Sequence, residues 1–293
     1  MKNFLTTVVL CFAVQSANAQ LSATDYFMKG NAKYETGQYR EAIQFFTKAI
    51  ELEPDLAEAF YNRGNAYDNL KTYQAAIRDY TKAIELKPNL VHAFYNRGVS
   101  YGNLKNYQAA IKDYTKAIEL KPDLVDVFYN RGNAYAKLKN YQGAMRDYTK
   151  VIELNPDDQD AYLAIGITQT KFNDFDAAII STKKAIACDP KVAPPYDNLG
   201  YFYLEEDQMD LAEQSFLKCL ELDPEFWDAS WGLALLYFQE GDMPNARKYF
   251  SKASTVEPIL KDGMSGIEKL ESQGWSYTGT KKQSLRKLFS ATK

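Results

Sequence analysis

Between residues 57 and 90 the apolar and small side chains fall at Phe60, Gly64, Tyr67 and Leu70, then at Ala76, Ile77, Tyr80, Ala83 and Ile84. Steps of three and four place each set along one face of a helix, so the segment predicts two amphipathic helices running antiparallel. The stripe breaks near Lys71 and Thr72, and Gly37, Asp207 and Gly241 stand at the matching place in other segments, which marks a turn. Pro88 follows the second helix, where a residue without an N–H cannot extend the hydrogen-bond ladder. Gly64 and Ala76 let the two backbones approach, Ala83 lets the next pair dock, and Tyr67, Tyr73 and Tyr80 fill the space between.

That pattern repeats on a fixed ruler. Prolines stand at 54, 88, 122, 156, 190, 224 and 258, each 34 residues from the last. Residues 59–88, 93–122 and 127–156 are nearly identical, and the words drift beyond residue 160 while the spacing holds. A unit of this length cannot bury its apolar face alone, so a constant period implies a solenoid in which neighbours supply the core. The expectation is an all-α chain with seven units, at 23–56, 57–90, 91–124, 125–158, 159–192, 193–226 and 227–260.

Composition narrows the partners. The charged residues make up 25% of the 293, both signs are mixed, and the formal net charge is −3, so no global field favours nucleic acid or an anionic membrane. With 14% aromatic residues the chain is far from a disordered composition. The first twenty residues carry Lys2, an apolar run from Phe4 to Val14, and Ala17-Asn18-Ala19, with no acid before Asp25. This is the order of a cleaved secretory signal over residues 1–19, so the chain is expected to be exported, periplasmic or secreted, with no membrane span afterwards. Of the two cysteines that remain, Cys188 aligns with Leu52, Leu86 and Leu120, and Cys219 with Ala49, Ala83 and Ala117. They read as buried structural thiols, with a disulfide between adjacent units as the alternative.

On these residues the chain resembles the tetratricopeptide repeat family, whose period is the same. With the proline counted as position 32 of a unit, the small residue at position 8 is Gly30, Gly64, Gly98, Gly132, Gly166, Gly200 and Ala234. The alanine at position 20 is Ala42, Ala76, Ala110, Ala144, Ala178, Ala212 and Ala246, and the aromatic at position 24 fails only at Thr182. The resemblance implies a right-handed superhelix in which the first helix of each pair lines a concave groove, at positions 2, 5, 6, 9, 12 and 13.

At those positions the early units carry Asn62, Asn96 and Asn130 (position 6), Asn65 and Asn133 (position 9), and Tyr61, Tyr95 and Tyr129 (position 5). An asparagine amide offers an acceptor and two donors, so a row of them can pair with the backbone of an extended peptide. The repeat domain of O-linked N-acetylglucosamine transferases is similar in its asparagine row at position 6. The family's clamp for peptide C-termini needs lysine at position 5, which this chain lacks. From the fifth unit the groove positions turn apolar, with Leu163, Ile167, Tyr201, Trp231, Leu235 and Phe238. These form a second, apolar contact zone unless the C-terminal segment folds over it. Arg63, Arg97 and Arg131 at position 7 occur together with Asp79, Asp113 and Asp147 at position 23, and units without the arginine lack the aspartate. That joint switch predicts a structural ion pair within or between units.

Residues 261–293 leave the ruler. A capping helix near Gly266 to Ser272 is expected, then a tail with Lys281, Lys282, Arg286, Lys287 and Lys293 among Leu285, Leu288 and Phe289. No chemistry stands out: His92 is the single histidine, no cysteine pair has zinc spacing, and no phosphate-binding or nucleophile-elbow motif occurs, so neither metal nor cofactor is implied. The expectation is a non-enzymatic scaffold that binds a peptide or partner protein in its groove. The alternative is a structural subunit of an envelope assembly or a self-associating protein, docking through units five to seven and the tail.

Overall fold

The computed structural model describes residues 21–262 together with 265, 266, 268 and 269. The expected signal segment, the basic tail and most of the expected capping helix lie outside them. Among the described residues there are fourteen α-helices and no strand. Two compact units divide the chain, Met1–Asn140 and Tyr141–Lys293.

The first unit holds α1 (Ala23–Glu35), α2 (Tyr39–Leu52), α3 (Ala57–Asn69), α4 (Tyr73–Leu86), α5 (Val91–Asn103), α6 (Tyr107–Leu120) and α7 (Val125–Lys137). The second holds α8 (Tyr141–Leu154), α9 (Gln159–Gln169), α10 (Phe175–Cys188), α11 (Pro194–Glu205), α12 (Met209–Leu222), α13 (Trp227–Glu240) and α14 (Met243–Val256), closed by a 3-10 turn over Pro258–Asp262. The most extensive packing is within consecutive pairs, α1 with α2, α3 with α4 and α5 with α6, then α9 with α10, α11 with α12 and α13 with α14. Within each unit one pair docks on the next, and the architecture is the all-α solenoid of helix pairs that the period implies.

The turn inside a pair is left-handed in every case. Lys71, Lys105, Lys139, Asn173 and Asp207 have φ of 54–60°, and Gly37 and Gly241 take the same place with φ of 74° and 83°. A side chain there pays a steric cost that glycine avoids. The close approach within a pair is also dictated by one residue. A Cβ on Gly64 would meet Tyr80 Cε1 at 2.7 Å, and Phe216 is wedged so that a Cβ on Gly200 or Gly232 would meet its ring at 2.6 or 2.4 Å. Position 8 is small because the aromatic at position 24 lies flat against it.

The two units fill their cores differently. In the first, Ala110, Ile111, Tyr114, Ala117, Val127 and Phe94 form the centre of one cluster, with tyrosines packed around it. In the second, Leu199, Phe202, Tyr203, Phe216, Leu220, Leu233 and Leu236 form a larger apolar cluster, and Trp231, Leu235 and Leu260 form another.

Candidate functional site

The expected arginine–aspartate switch is an ion pair inside the α3–α4 and α5–α6 pairs. Arg63 Nε and Nη2 donate to Asp79 Oδ2 and Oδ1 at 2.7 and 2.8 Å, and Arg97 does the same to Asp113 at 2.7 and 2.7 Å. The third fork nitrogen reaches back to the preceding pair, Arg63 Nη1 to Thr47 Oγ1 at 2.9 Å, Arg97 Nη1 to Thr81 Oγ1 at 2.9 Å and Arg131 Nη1 to Thr115 Oγ1 at 3.0 Å. Each guanidinium also lies over a phenylalanine of its own helix, Phe60, Phe94 or Phe128, at 5.5–5.6 Å. Burial opposes the Arg63 and Arg97 charges, yet the aspartate hydrogen bonds and charge outweigh it and hold both guanidinia above their ordinary value. This is scaffold, and it frees the opposite face of α3, α5 and α7 for other work.

That face carries the asparagines. Asn62 Nδ2 donates to Asn31 Oδ1 at 2.8 Å, and Asn96 Nδ2 donates to Asn65 Oδ1 at 2.8 Å and to Tyr61 Oη at 3.2 Å. Tyr80 Oη donates to the same Asn65 Oδ1 at 2.9 Å. Where position 9 becomes Val99 the amide carbonyl is lost, and Asn130 Nδ2 turns to Tyr95 Oη at 3.0 Å. The rungs thus tie α3, α5 and α7 each to the first helix of the preceding pair. Their directions leave a regular remainder: Oδ1 of Asn62 and Asn96 accepts nothing, and Nδ2 of Asn31 and Asn65 donates nothing, among the described residues. Neither set is buried. Tyr129 and Asn133 sit half-buried on α7 in the corresponding places.

A polar cleft of about 270 Å³ opens beside this ladder in the first unit, lined by Tyr34, Tyr61, Asn65, Asp68, Asn69, Tyr80, Asn96 and Val99. Asp68 Oδ1 accepts from Ser100 Oγ at 2.6 Å, and Asn69 Nδ2 donates to Tyr34 Oη at 3.0 Å and to the Asn65 carbonyl at 2.9 Å. Burial raises the Asp68 carboxyl, with the Ser100 bond pulling the other way. Burial likewise pushes the Tyr34 and Tyr95 phenols up, partly offset by the asparagine donors, and drives Tyr80 far above the ordinary phenol range. Asp68 and Ser100 were absent from the residues singled out by sequence. Each occurs once among near-identical units, so alone it looks like drift, and only their 2.6 Å contact between α3 and α5 gives them meaning.

The second apolar zone needs correction. Trp231 is 0% and Leu235 1% exposed, sealed in a cluster with Leu260 and with Ile259 and Phe250 against it. The 3-10 turn after Pro258 folds its apolar residues onto α13, which the period could not foretell because it lies past the last proline. Leu163, Tyr201 and Phe238 are half-buried, with the Tyr201 hydroxyl donating to Asp228 Oδ1 at 2.8 Å, and Ile167 is 40% exposed. Cys188 and Cys219 are free thiols, the first half-buried and the second buried. Among the described residues no acid, histidine and cysteine group could hold a metal ion, and no helix is long and apolar enough to cross a membrane.

Helix pairs on a 34-residue period, with a small residue set against an aromatic, are matched by family models. Tetratricopeptide repeat models match residues 57–90, 91–124 and 125–158, then 193–226 and 228–259, and a further repeat model of the same kind matches 30–71. The chain belongs to the tetratricopeptide repeat family. No curated protein matches it in sequence. Among solved structures, it is similar to YrrB, described as a tetratricopeptide repeat protein with an unusual peptide-binding site, at 26% identity and a TM-score of 0.55 over 63% of this chain and 95% of that one. It is similar to a MamA protein at 27% identity and a TM-score of 0.56, covering 58% and 92%. A tetratricopeptide repeat protein from Parabacteroides merdae shares the fold over 92% of this chain and 98% of its own, with 19% identity and a TM-score of 0.64. Tetratricopeptide repeats are generally a protein-interaction fold, and that is the level at which the similarity speaks.

Proposed function

We propose that this chain is an exported, non-enzymatic scaffold that captures an extended segment of a partner protein along α1, α3, α5 and α7. The observation that carries the reading is the remainder left by the asparagine rungs. Asn62 with Asn31, and Asn96 with Asn65, each leave one carbonyl acceptor and one amide donor open, held in place by the bond between them. An extended backbone offers the complementary donor and acceptor at regular intervals, and a fixed partner loses little side-chain entropy on binding. The ladder would therefore contribute affinity without choosing a sequence. YrrB, with its peptide-binding site, supports the same class of ligand for a similar chain.

The alternative, docking through units five to seven, keeps Ile167 as an exposed residue but loses Trp231 and Leu235 to the core. Photo-crosslinking in cells separates the two. A crosslinking residue in place of exposed His92 or Asn103 on α5 is expected to capture one segment of one partner, and a residue at Gln108 on α6 is not. Asn62→Ala with Asn96→Ala and Asn130→Ala should abolish the crosslink while helical circular dichroism persists. Crosslinks that survive the triple change, or that arise only from positions beyond residue 159, would overturn peptide capture. Export is checked in the same cells by the first residue of the mature chain, expected at Gln20.

A further inference from the structure

A periodic ladder cannot set register, because each rung offers what the last one offered. The three near-identical units depart from one another at a few first-helix positions, and three of these meet in one place. Position 9 reads Asn65, Val99 and Asn133, position 10 reads Ala66, Ser100 and Ala134, and position 12 reads Asp68, Gly102 and Ala136. Asp68, in the wall of the 270 Å³ cleft, accepts from Ser100 behind it at 2.6 Å, and each of the two is found once.

Resting on the peptide-capture reading, we infer that this cleft is a pocket for one basic side chain, lysine or arginine, of the bound segment, with Asp68 as its counter-charge. Three features of the cleft call for a cation. Asp68 is the single charged residue in its lining and forms no ion pair among the described residues. A carboxylate half out of water with one neutral hydrogen bond is a charge left partly uncompensated, and a cation that enters supplies what desolvation removed. Of the lining's three side-chain amides two have spent their hydrogens, both on Asn96 going to Tyr61 Oη and Asn65 Oδ1 and both on Asn69 to Tyr34 Oη and the Asn65 carbonyl, and the third, Asn65, keeps its Nδ2 for the peptide backbone along the ladder. What remains is dominated by acceptors, the free carboxylate oxygen and the lone pairs of the tyrosine hydroxyls, and lysine and arginine are the side chains that only donate. Tyrosine rings around the opening add cation–π attraction. At about 270 Å³ the cleft has room for a guanidinium or ammonium end with a remnant of its hydration.

The pocket would turn a register-blind ladder into one with a fixed point. Random dodecapeptides displayed on phage, selected in parallel on the full chain and on its Asp68→Asn variant, test this. The variant keeps an acceptor for Ser100 and replaces a residue whose counterparts are Gly102 and Ala136, so it is expected to fold, with circular dichroism and thermal melting as the check. Selection on the wild-type chain should enrich lysine or arginine at one fixed position, and selection on the variant should still return peptides but without that enrichment. In a wild-type-selected peptide, replacing the basic residue by glutamine or citrulline should weaken binding about tenfold or more, the scale of one charge-assisted hydrogen bond. Peptides selected without basic enrichment, or with the same enrichment on the variant, overturn the pocket and leave the ladder standing. If the variant melts at a lower temperature, Asp68→Ala, which copies Ala136 at the matching place, replaces it, with the same loss of enrichment expected. Failure to select any peptide from the wild-type chain overturns both.

Discussion

The two compact units follow one plan and hold it together by different means. In the first, α3 and α5 are pinned to their partners by Arg63–Asp79 and Arg97–Asp113, and asparagine rungs join one pair to the next. In the second, the same two positions are Leu199 with Ser215 and Leu233 with Tyr249, and the centre is the apolar cluster around Phe216. The family's small, alanine and aromatic positions fix how helices pack, so both solutions fit one backbone. What differs is the surface left over. Polar pinning yields a polar face with groups in register, whereas apolar packing consumes its large side chains in the core.

The comparison breaks most sharply at Phe216. It is wholly buried between Gly200 and Gly232, and a Cβ on either glycine would clash with its ring. Phe216→Ala should cost about 3–5 kcal/mol in urea unfolding of the full chain. Hydrogen exchange should show the loss first in α11, α12 and α13, with α1 to α6 keeping their protection.

Next in size is an exchange of solutions. Arg97→Leu alone strands Asp113, whose side chain is 5% exposed, and should cost about 3 kcal/mol. Adding Asp113→Ser recreates the pairing found at Leu199 and Ser215, where the serine hydroxyl donates to the Leu211 carbonyl at 2.7 Å. The double variant should return to within about 1 kcal/mol of the parent by the same unfolding measurement. If the double change costs as much as the single one, the pair is more than an alternative to apolar packing.

How much of this was legible follows from what repeats. Gly30, Gly64 and Gly98 recur opposite an aromatic, so spacing alone disclosed the pairing and the turn. The arginine–aspartate link was legible because both residues change together between units. Thr47, Thr81 and Thr115 were not recognised as its third partner, since their contact crosses from one pair to the preceding one. The asparagines were identified, but their rungs were not, because which amide hydrogen is spent depends on a geometry between pairs that no single unit encodes. Asp68 was hidden by the opposite cause: a signal that occurs once has no periodicity to reveal it. Trp231 and Leu235 misled because position within a unit says where a side chain points and nothing about what folds over it.

Alkaline titration acts at a smaller scale. Burial raises the phenols of Tyr34, Tyr80, Tyr95 and Tyr114 in the first unit and that of Tyr237 in the second, where the Glu213 carboxylate adds to burial. A phenol whose folded pKa lies above its unfolded value near 10 contributes fully below that pH and is lost as pH rises past it. For deeply buried Tyr80 and Tyr114 the loss is about 1.4 kcal/mol per phenol for each pH unit above about 10. Melting followed between pH 9 and 11.5 should therefore fall, and hydrogen exchange should show α3 to α6, which hold Tyr80 and Tyr114, opening more readily at the upper end of that range. Tyr80→Phe together with Tyr114→Phe should flatten most of the fall, and a slope unchanged by that pair would sink the assignment.

The smallest effect tests the ladder inside the first unit. Asn96 donates two bonds, to Asn65 Oδ1 and Tyr61 Oη, while Asn130 faces Val99 and keeps one, to Tyr95 Oη. At about 0.5–1.5 kcal/mol per neutral bond, Asn96→Ala should destabilise by roughly twice as much as Asn130→Ala. Val99→Asn should add the absent rung, because a carbonyl would again stand where Asn65 places one for Asn96. In that background Asn130→Ala should cost as much as Asn96→Ala does in the parent. Equal costs for Asn96 and Asn130 in the parent chain would mean that the rungs do not hold the asparagines, and a side chain that is not held cannot present its remaining donor or acceptor in register. The stability of the rung and the alignment of the face are then one property, read by a thermal melt before any ligand is known.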